Sequence, residues 1–403
     1  MPDLDVEALR ALTPGCANRN HLNNAGAALM TTATIAAMTE YLQREALIGG
    51  YEAEAEAAEQ IGDVYESLAE LVGAHPSQIA LFDNSTHAWN AAGYSVPLEP
   101  GDRILTGRNE YGSAVLAYLQ LAQRTGADVV VVPNDDSGQI DIAALADLID
   151  QRTKLIGLTW VPTAGGLVNP AAEVGRLARA ADVLYLLDAT QAVGQFPIDV
   201  ESIGCDMLTG TGRKFLRGPR GTGFLYVGPR ALDRLEPFVA EIRSATWAGG
   251  RSFTWVDGAR RFETWENSYL NIVGLGAAVR QALDIGLDRI GRRSAALGAR
   301  LRTGLAEIDG VRVHDLGREQ CAIVTTRVAG VDAGDVANAL SRRGINVSTT
   351  VAEHNQFDDR DVHPMVRLSP HYYNTEAEID QAVEAVSALA ANHSSDSLTA
   401  RRK

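Results

Sequence analysis

The chain has 403 residues, a length that predicts two domains or one large core with an appendage, and its 46% apolar and 22% charged residues are typical of an ordinary globular protein. Its formal net charge of −15 argues against nucleic acid or an anionic membrane as the main partner, because an acidic surface is repelled by both. Since no run of about 18 apolar residues occurs and the N-terminus is acidic, we expect neither a membrane span nor a signal peptide.

The first two-thirds of the chain alternates short apolar runs with amphipathic segments of helical length. Such runs predict buried strands, and the amphipathic segments predict helices. The predicted strands are 78–82, 103–106, 128–132, 155–160, 183–187 and 223–227, and helices are predicted at 114–124, 142–150 and 171–181. This alternation predicts an α/β fold with a mainly parallel sheet covered by helices on both faces.

Beyond Gly274 the pattern changes to that of a smaller α+β unit. A long helical stretch from about 275 to 308 is followed by predicted strands at 311–314, 321–328, 346–349 and 365–369 and by helices at 332–343 and 375–390. We expect a large domain at 20–274 and a smaller one formed by 1–19 and 275–391. The polar residues 392–403 are expected to form a disordered tail.

The cysteines set expectations about metal and compartment. Cys16, Cys205 and Cys321 are few and widely spaced, so they predict neither a disulfide framework nor a zinc site. Free thiols are typical of the reducing cytoplasm. We therefore expect a cytoplasmic protein with no metal site.

Lys214 is the residue that most strongly suggests chemistry. Of the 36 basic residues, 33 are Arg, and the Lys residues are Lys154, Lys214 and Lys403. Lys214 lies in a polar, Gly-rich segment, where an exposed loop position is the alternative interpretation. A guanidinium stays protonated, whereas a desolvated ammonium can lose its proton and condense with an aldehyde. The retention of Lys among so many Arg residues therefore favours a need for an amine at this position.

Other polar residues follow predicted strands, at the ends where parallel sheets collect ligands. Asp188 closes an apolar run, so its carboxylate needs a cationic partner, and a protonated pyridine nitrogen is one such partner. The alternative is that Asp188 caps a following helix. Gln191, three residues later, can point a donor into the same crevice.

A third group of residues suits a phosphate. Ser85 and Thr86 stand where a helix is predicted to begin, so their hydroxyls and the free backbone N–H groups can bind an anion or simply cap the helix. Thr211 and Arg213 precede Lys214 at spacings that let them bind the same phosphate. An amine, a pyridine partner and a phosphate cradle together describe a pyridoxal phosphate (PLP) site.

Several segments resemble motifs of the aminotransferase class V family, which includes cysteine desulfurases, selenocysteine lyases, isopenicillin N epimerases and C–S lyases. The resemblance extends from about 21 to 389 and is carried by 22–26 (LNNAG), 84–87 (NSTH), 188–191 (DATQ) and 211–214 (TGRK). It implies the PLP-dependent transferase fold type I: a large domain with a mainly parallel seven-stranded sheet flanked by helices, and a smaller C-terminal α+β domain. It also implies a Schiff base between PLP and Lys214.

The resemblance assigns further roles. Tyr111 falls on the position that stacks on the cofactor ring, and Arg367 on the one that binds the substrate α-carboxylate, although Arg367 could also be a surface charge on a strand. Asn24 and His87 are assigned to substrate binding. The resemblance also implies a homodimer with the active site at the subunit interface. We assign the phosphate contact made to the neighbouring chain to Asn267, with Ser268 as the alternative. His354, His363 and His371, with His87, are candidate second acids.

The reaction is the least determined part of this interpretation. Cysteine desulfurases carry a nucleophilic Cys on the loop before the carboxylate-binding Arg, and residues 351–365 contain none. We therefore disfavour a persulfide-forming desulfurase and expect a C–S β-lyase of natural-product or thiol pathways, which releases a thiol, pyruvate and ammonia from a cysteine S-conjugate. An aminotransferase, an epimerase and a decarboxylating deaminase remain alternatives. From another class, an idle PLP-binding or a nucleotide-binding protein remains open, although no G-x-G-x-x-G or Walker motif occurs.

Overall fold

The computed structural model describes residues 4–351 and 364–400, with side chains as far as His393. Its strands, in chain order, are β1 (Asn20–His21), β2 (Ile79–Phe82), β3 (Arg103–Thr106), β4 (Asp128–Val131), β5 (Thr153–Thr159), β6 (Leu184–Asp188), β7 (Met207–Thr211), β8 (Gly223–Val227), β9 (Ala245–Gly249), β10 (Ser252–Trp255), β11 (Val311–Val313), β12 (Val324–Val328), β13 (Ile345–Asn346), β14 (Ser348–Thr349) and β15 (Val366–Leu368).

The α-helices cover both faces of the central sheet and one face of a smaller sheet. They are α1 (Val6–Ala11), α2 (Thr32–Ile48), α3 (Gly50–Glu56), α4 (Ala58–Val72), α5 (Ser85–Gly93), α6 (Gly112–Thr125), α7 (Ile142–Leu148), α8 (Ala171–Ala180), α9 (Val200–Ile203), α10 (Pro229–Leu232), α11 (Tyr269–Ile285), α12 (Leu287–Ala306), α13 (Ala333–Arg342) and α14 (Glu376–Ala400). No single helix in these described ranges is both long and apolar enough to span a membrane. Within the same ranges, α11 and α12 reach that length and hydropathy only when they are taken together, and they are bent relative to each other.

The central sheet has seven strands in the order β2-β8-β7-β6-β5-β3-β4. All neighbours from β7 to β4 are parallel, and β8 runs antiparallel to β2 and β7. Strands β6, β7 and β8 are buried along their whole length, as expected of a sheet covered on both faces. The predicted α/β fold with a mainly parallel seven-stranded sheet is confirmed. Strand β7, which is not among the predicted strands, lies inside the sheet between β8 and β6.

The smaller sheet is antiparallel, in the order β11-β12-β15-β14, and α12, α13 and α14 pack with it around a separate apolar core. The helix predicted from 275 to 308 is broken at Gly286 (φ 92°), and its two parts, α11 and α12, meet at 84°. Because α11 packs against α2 and α4, residues 275–285 lie with the large domain rather than the smaller one. The expected disordered tail from 392 instead continues α14 to Ala400.

Candidate active site

The carboxyl ends of β5, β6 and β7 and the N-terminus of α5 surround a pocket. This position is where parallel sheets bind ligands, because loops from several strands meet there. The side chains that line the pocket are Asn84, Ser85, Thr86, Trp89, Asn90, Tyr111, Ser113, Ala114, Thr159, Val161, Thr163, Asp188, Thr190, Gln191, Thr211, Arg213 and Lys214. Three segments far apart in sequence, each predicted to follow a strand, are thus brought together.

Lys214 lies in the loop between β7 and β8 and is only 7% exposed, so the interpretation of an exposed loop Lys is wrong. Burial lowers the pKa of its ammonium well below the usual value, and the charges of Arg213 and Arg367 lower it further, while Asp188 acts in the opposite direction. No hydrogen bond holds the Lys214 amine among the residues that the structure describes. These surroundings favour the neutral form of the Lys214 amine, which is the form that reacts as a nucleophile or base.

The Lys214 loop is held by Arg217, a buried residue with a left-handed backbone (φ 64°) that is unusual for a residue with a Cβ. The Arg217 guanidinium donates to the Leu29 carbonyl (2.8 Å), the Tyr372 hydroxyl (2.5 Å) and the Thr13 hydroxyl (2.6 Å). It also lies 4.4 Å above the Tyr373 ring. These contacts bind the loop to both chain termini and offset the backbone strain.

Asp188 ends β6 and is 8% exposed, with its carboxylate on the pocket wall. Its Oδ1 accepts a hydrogen bond from the Thr190 backbone N–H (2.8 Å), so the side chain caps a turn. No helix begins there, and the helix-cap alternative is therefore wrong. Thr190 in turn shares a 2.5 Å hydrogen bond with Ser85, which connects the Asp188 turn to the start of α5.

The N-terminus of α5 points its free backbone N–H groups into the pocket, with Ser85 and Thr86 on the wall. Asn84, not Ser85, is the N-cap, and its side chain accepts the His87 N–H (2.8 Å). The helix comes this close to the sheet because Gly223 has no side chain: a Cβ there would lie 2.4 Å from the Asn84 carbonyl carbon and 2.7 Å from the Ser85 nitrogen. The Ser85 and Thr86 hydroxyls both line the pocket; that of Ser85 already shares one hydrogen bond with Thr190 and can form a second with a phosphate.

Two guanidinium groups influence the site: Arg213 lines the pocket, and Arg367, which is not among the lining residues, lies near enough for its charge to act on Lys214. Arg367, on β15, is 8% exposed and donates to the carbonyl (3.0 Å) and hydroxyl (2.6 Å) of Thr163, so it is not a surface charge. Burial and the charge of Arg213 lower the pKa of Arg367 to about 10, although Tyr111 opposes this change. Arg213 donates to the Gly26 carbonyl, and burial also lowers the pKa of its guanidinium. Neither has a carboxylate partner among the described residues.

Three further predicted residues also line the pocket. Tyr111 precedes the first turn of α6, and its backbone N–H donates to the Thr159 hydroxyl (3.4 Å). Gln191 donates to the Ala25 carbonyl (3.2 Å), and its buried Oε1 has no partner among the described groups. The Thr211 hydroxyl donates to the Thr222 carbonyl (2.9 Å) at the end of β7.

Asn24 and His87, assigned to substrate binding, do not line the pocket of this chain. The Asn24 side chain is fully buried and hydrogen-bonded on both sides, to the Ser369 carbonyl (2.8 Å) and the Tyr373 hydroxyl (2.5 Å), so it connects the two domains. His87 is 61% exposed and pairs with Asp83 (2.7 Å). The structure does not support either assignment, because the polar atoms of Asn24 are hydrogen-bonded in the core and the His87 ring is exposed.

The remaining assignments lie outside the pocket or outside the described residues. Asn267 contacts the Thr264 carbonyl (2.9 Å) away from the pocket, as a residue that acts on a neighbouring chain would, and its role stays a prediction. His371 is fully buried and held by the Phe215 carbonyl (2.8 Å). Burial lowers its pKa to about 3, so it is a neutral core residue and not a second acid. His354 and His363 lie outside the described residues.

The pocket residues fit PLP. Arg213 and the Lys214 amine line the pocket with a single carboxylate, Asp188, and the charge of the nearby Arg367 also acts on Lys214. These cationic groups suit a phosphate and a carboxylate. The buried Nε of Arg367 and Oε1 of Gln191 have no partner in the described structure, which leaves bonding capacity for a ligand. Ser85, Thr86, Thr211 and Arg213 would hold the phosphate, and Asp188 the ring nitrogen.

Sequence reasoning missed several pocket residues that belong to the same strand ends. Thr159 is the last residue of β5, Val161 and Thr163 follow that strand, and Thr190 lies inside the Asp188 turn. Thr163 was missed although it anchors Arg367. The rule that ligands gather at carboxyl ends of parallel strands would have found the β5 group if applied to every strand.

Comparisons with known proteins agree with this geometry. The family model described as aminotransferase class-V matches residues 20–382. A relative named a probable cysteine desulfurase, from Methanothermobacter thermautotrophicus, is 28% identical over 366 residues, covering 88% of this chain and 91% of the relative.

Solved structures give the same fold. The structure of a cysteine desulfurase from Thermococcus onnurineus NA1 matches with a TM-score of 0.90 and 24% identity, covering 97% of this chain and all of that one. A cystine C–S lyase in complex with its reaction product cysteine persulfide matches with a TM-score of 0.84 and 24% identity, covering 93% and 99%.

These relatives correct one interpretation of the sequence. We disfavoured a persulfide-forming cysteine desulfurase because residues 351–365 contain no Cys, and that interpretation is wrong, since relatives along nearly the whole chain are named cysteine desulfurases. The predicted PLP cofactor is confirmed, and so is the predicted family. The chain belongs to the aminotransferase class-V family of PLP-dependent enzymes.

Proposed function

We propose that this chain breaks the carbon–sulfur bond of L-cysteine, as a cysteine desulfurase that uses PLP. The observation that carries the proposal is the buried Lys214 amine beside Asp188, with the pKa of its ammonium lowered by burial and by two neighbouring guanidinium groups. The names of the relatives support the choice of substrate.

The chain's own groups have separable tasks. When bound, PLP supplies the electron sink that stabilises negative charge on the α-carbon of the amino acid. Asp188 keeps a proton on the cofactor's ring nitrogen, and the neutral Lys214 Nζ accepts the α-proton as a general base. Arg367, preoriented by Thr163, binds the α-carboxylate through a charge-assisted pair.

A second candidate is β-elimination, in which a cysteine-type substrate and water give pyruvate, ammonia and a free sulfur product. The placement of the thiols favours it: Cys205 and Cys321 are buried, Cys16 is partly buried, and none of the three lines the pocket. Burial raises the pKa of each thiol, to about 11 for Cys321, so these groups are poor nucleophiles. The fate of the sulfur atom separates the two candidates.

Product analysis distinguishes them. The holoenzyme would be incubated with L-cysteine in the presence of dithiothreitol, and with L-cystine and S-methyl-L-cysteine in its absence because the reagent would reduce cystine to cysteine. Alanine, pyruvate, ammonia and sulfide would be quantified in each incubation. Equal amounts of alanine and sulfide from L-cysteine support the desulfurase. Pyruvate with ammonia supports the lyase. A protein with full PLP absorbance that yields none of these products from any of the three amino acids would refute carbon–sulfur cleavage.

The role of Lys214 has a matched control in this chain. Lys214→Ala should lose the visible absorbance of lysine-linked PLP and the covalent trapping of PLP by borohydride. Lys154→Ala removes an exposed Lys that lies 3.8 Å from Asp102 on the surface, and it should retain both. Equal trapping in the two variants would mean that PLP is bound to another amine.

We also propose a homodimer in which Asn267 reaches the pocket of the neighbouring chain. Large apolar side chains near this segment are exposed in the single chain, namely Trp265 (46%) and Tyr51 (72%). Analytical ultracentrifugation should give twice the mass of one chain. Asn267→Ala should weaken PLP binding without changing the unfolding temperature of the cofactor-free protein, and an unchanged affinity would reject the contact.

A further inference from the structure

Glu110 is a fully buried carboxyl behind the pocket wall, 1% exposed and directly before Tyr111. Both of its oxygens are held by a single residue: Oε1 accepts the Thr159 backbone N–H (2.9 Å) and Oε2 accepts the Thr159 hydroxyl (2.7 Å). In the described part of the chain no Lys, Arg or His forms an ion pair with it. A buried carboxyl without a cation is costly, and such groups are concentrated at functional sites.

The Glu110 contacts reach the pocket through Thr159. Thr159 is the last residue of β5, lines the pocket and is paired in register with Asp188 on β6. Its hydroxyl donates to Glu110 and accepts the Tyr111 backbone N–H (3.4 Å), so one hydroxyl serves both neighbours. Glu110 thereby fixes the Thr159 rotamer and, through it, the backbone of the residue assigned to stack on the cofactor ring.

The charge of Glu110 also acts on the site. Burial raises its pKa to about 7, the hydrogen bonds from Thr159 oppose this change, and the nearby Asp188 carboxylate raises the pKa further. The other titratable groups that interact with it are the Tyr118 hydroxyl on α6 and the Tyr185 hydroxyl on β6, both with raised pKa values. None of these neighbours is cationic. A cation placed against Asp188 would therefore favour ionised Glu110, and the ionised form would favour that cation in return.

We propose that Glu110 is a positioning residue of the PLP site, which holds Thr159 and Tyr111 at the pocket wall and places a second negative charge behind Asp188. The second charge strengthens the preference of the site for a protonated pyridine nitrogen. The role is independent of which sulfur amino acid is the substrate, because it concerns the bound cofactor alone.

Glu110→Gln and Glu110→Ala separate the two parts of the role. The Gln oxygen can still accept the Thr159 N–H and its amide can donate to the Thr159 hydroxyl, so positioning is kept while the charge is lost. Ala loses both. The dissociation constant of PLP would be measured by absorbance titration at pH 6.0 and pH 8.5 for each protein. Asp206→Asn serves as the control, since Asp206 is a buried carboxylate paired with Arg230 at the opposite end of β7.

In the parent protein ionisation of Glu110 accompanies PLP binding. The quantity to compare is the dissociation constant of the variant divided by that of the parent. For Glu110→Gln we expect this ratio to be at least fivefold larger at pH 8.5 than at pH 6.0. For Asp206→Asn the ratio should be the same at both pH values. The Ala variant should bind at least tenfold more weakly than the Gln variant. A Gln-to-parent ratio constant within twofold across pH would overturn the charge contribution. Equal affinities of the Ala and Gln variants would overturn positioning.

If the Ala variant does not fold, Thr159→Val tests positioning without removing the carboxyl. It deletes the hydroxyl that connects Glu110 to Tyr111 and preserves the side-chain shape. We expect weaker PLP binding and a shifted absorbance maximum of the bound cofactor. The pH dependence should persist but move to higher pH, because the lost Thr159 hydroxyl no longer lowers the pKa of Glu110. Parent affinity and an unshifted spectrum would refute the positioning of Tyr111 through Thr159.

Discussion

Gly223→Ala is the perturbation whose consequence follows most directly from the structure. Gly223 pairs with Phe82 on β2 and with Thr211 on β7, so its strand is held on both sides. An added Cβ would lie 2.4 Å from the Asn84 carbonyl carbon, whereas ordinary contacts begin at 3.4 Å. Because the strand cannot move, the N-terminus of α5 must withdraw by about 1 Å, and Ser85 and Thr86 must move with it.

A displacement of this size in a positioning element can cost roughly 100-fold in function. We expect the dissociation constant of PLP, measured by absorbance titration, to rise by about 10- to 100-fold in Gly223→Ala, which corresponds to about 1.4 to 2.8 kcal/mol. Overpacking should also destabilise the cofactor-free protein by roughly 1–3 kcal/mol in chemical denaturation. The larger loss should be in affinity, since the clash is beside the phosphate cradle.

Gly62→Ala is the matched control. Gly62 lies within α4, and nothing lies within 4 Å of the position that its Cβ would occupy. Ala is the better helix former, so this variant should be more stable than the parent by up to about 1 kcal/mol, with unchanged PLP affinity. A Gly223→Ala protein that binds PLP within threefold of the parent would refute the argument that this glycine sets the distance between helix and sheet.

Three further predictions follow from the site and its supports. Arg367→Lys should raise KM for the amino acid at least tenfold with PLP absorbance unchanged, because Lys cannot form the planar two-point contact with a carboxylate; loss of the absorbance would mean a role in cofactor binding. Arg217→Met should lower the free energy of unfolding by about 3 kcal/mol or more in urea titrations, since it removes three hydrogen bonds from a charged group. Between pH 6.5 and 5 the unfolded chain binds a proton at His371 that the folded chain, with a pKa of about 3, does not bind. Stability should therefore fall by about 2 kcal/mol from this group as pH decreases, and His371→Gln should lack that component.

Strand and helix positions in the large domain were predictable because they depend on local periodicity. Six of the seven central strands are within two residues of their predicted bounds, since buried runs of Val, Leu and Ile between helices have few alternatives. Strand β7 was missed because Gly and Thr residues interrupt its apolar run. The break between α11 and α12 was missed because a single Gly in a helical pattern is often tolerated.

The candidate site was partly predictable. Lys214 and Asp188 stood out because their chemistry is specific and their flanking patterns are local. His87 and His371 could not be told apart in sequence: one is exposed on α5, and the other is a neutral core residue. The reaction was misjudged because the missing Cys was taken as decisive, and relatives along nearly the whole chain overturned that inference.

The amino-acid sequence by itself determined the order of strands and helices, the single internal lysine suited to bind PLP and the family motifs around it. Only the tertiary structure decided which groups meet. It places Glu110 behind Asp188 through Thr159, and it lets Arg217 bind the Lys214 loop to Thr13 and Tyr372. It also shows that the missing side chain of Gly223 lets α5 approach the sheet closely. The physical reason is that secondary structure responds to neighbours in sequence. Proton affinity and anion binding instead depend on burial and on charges contributed by segments more than a hundred residues apart.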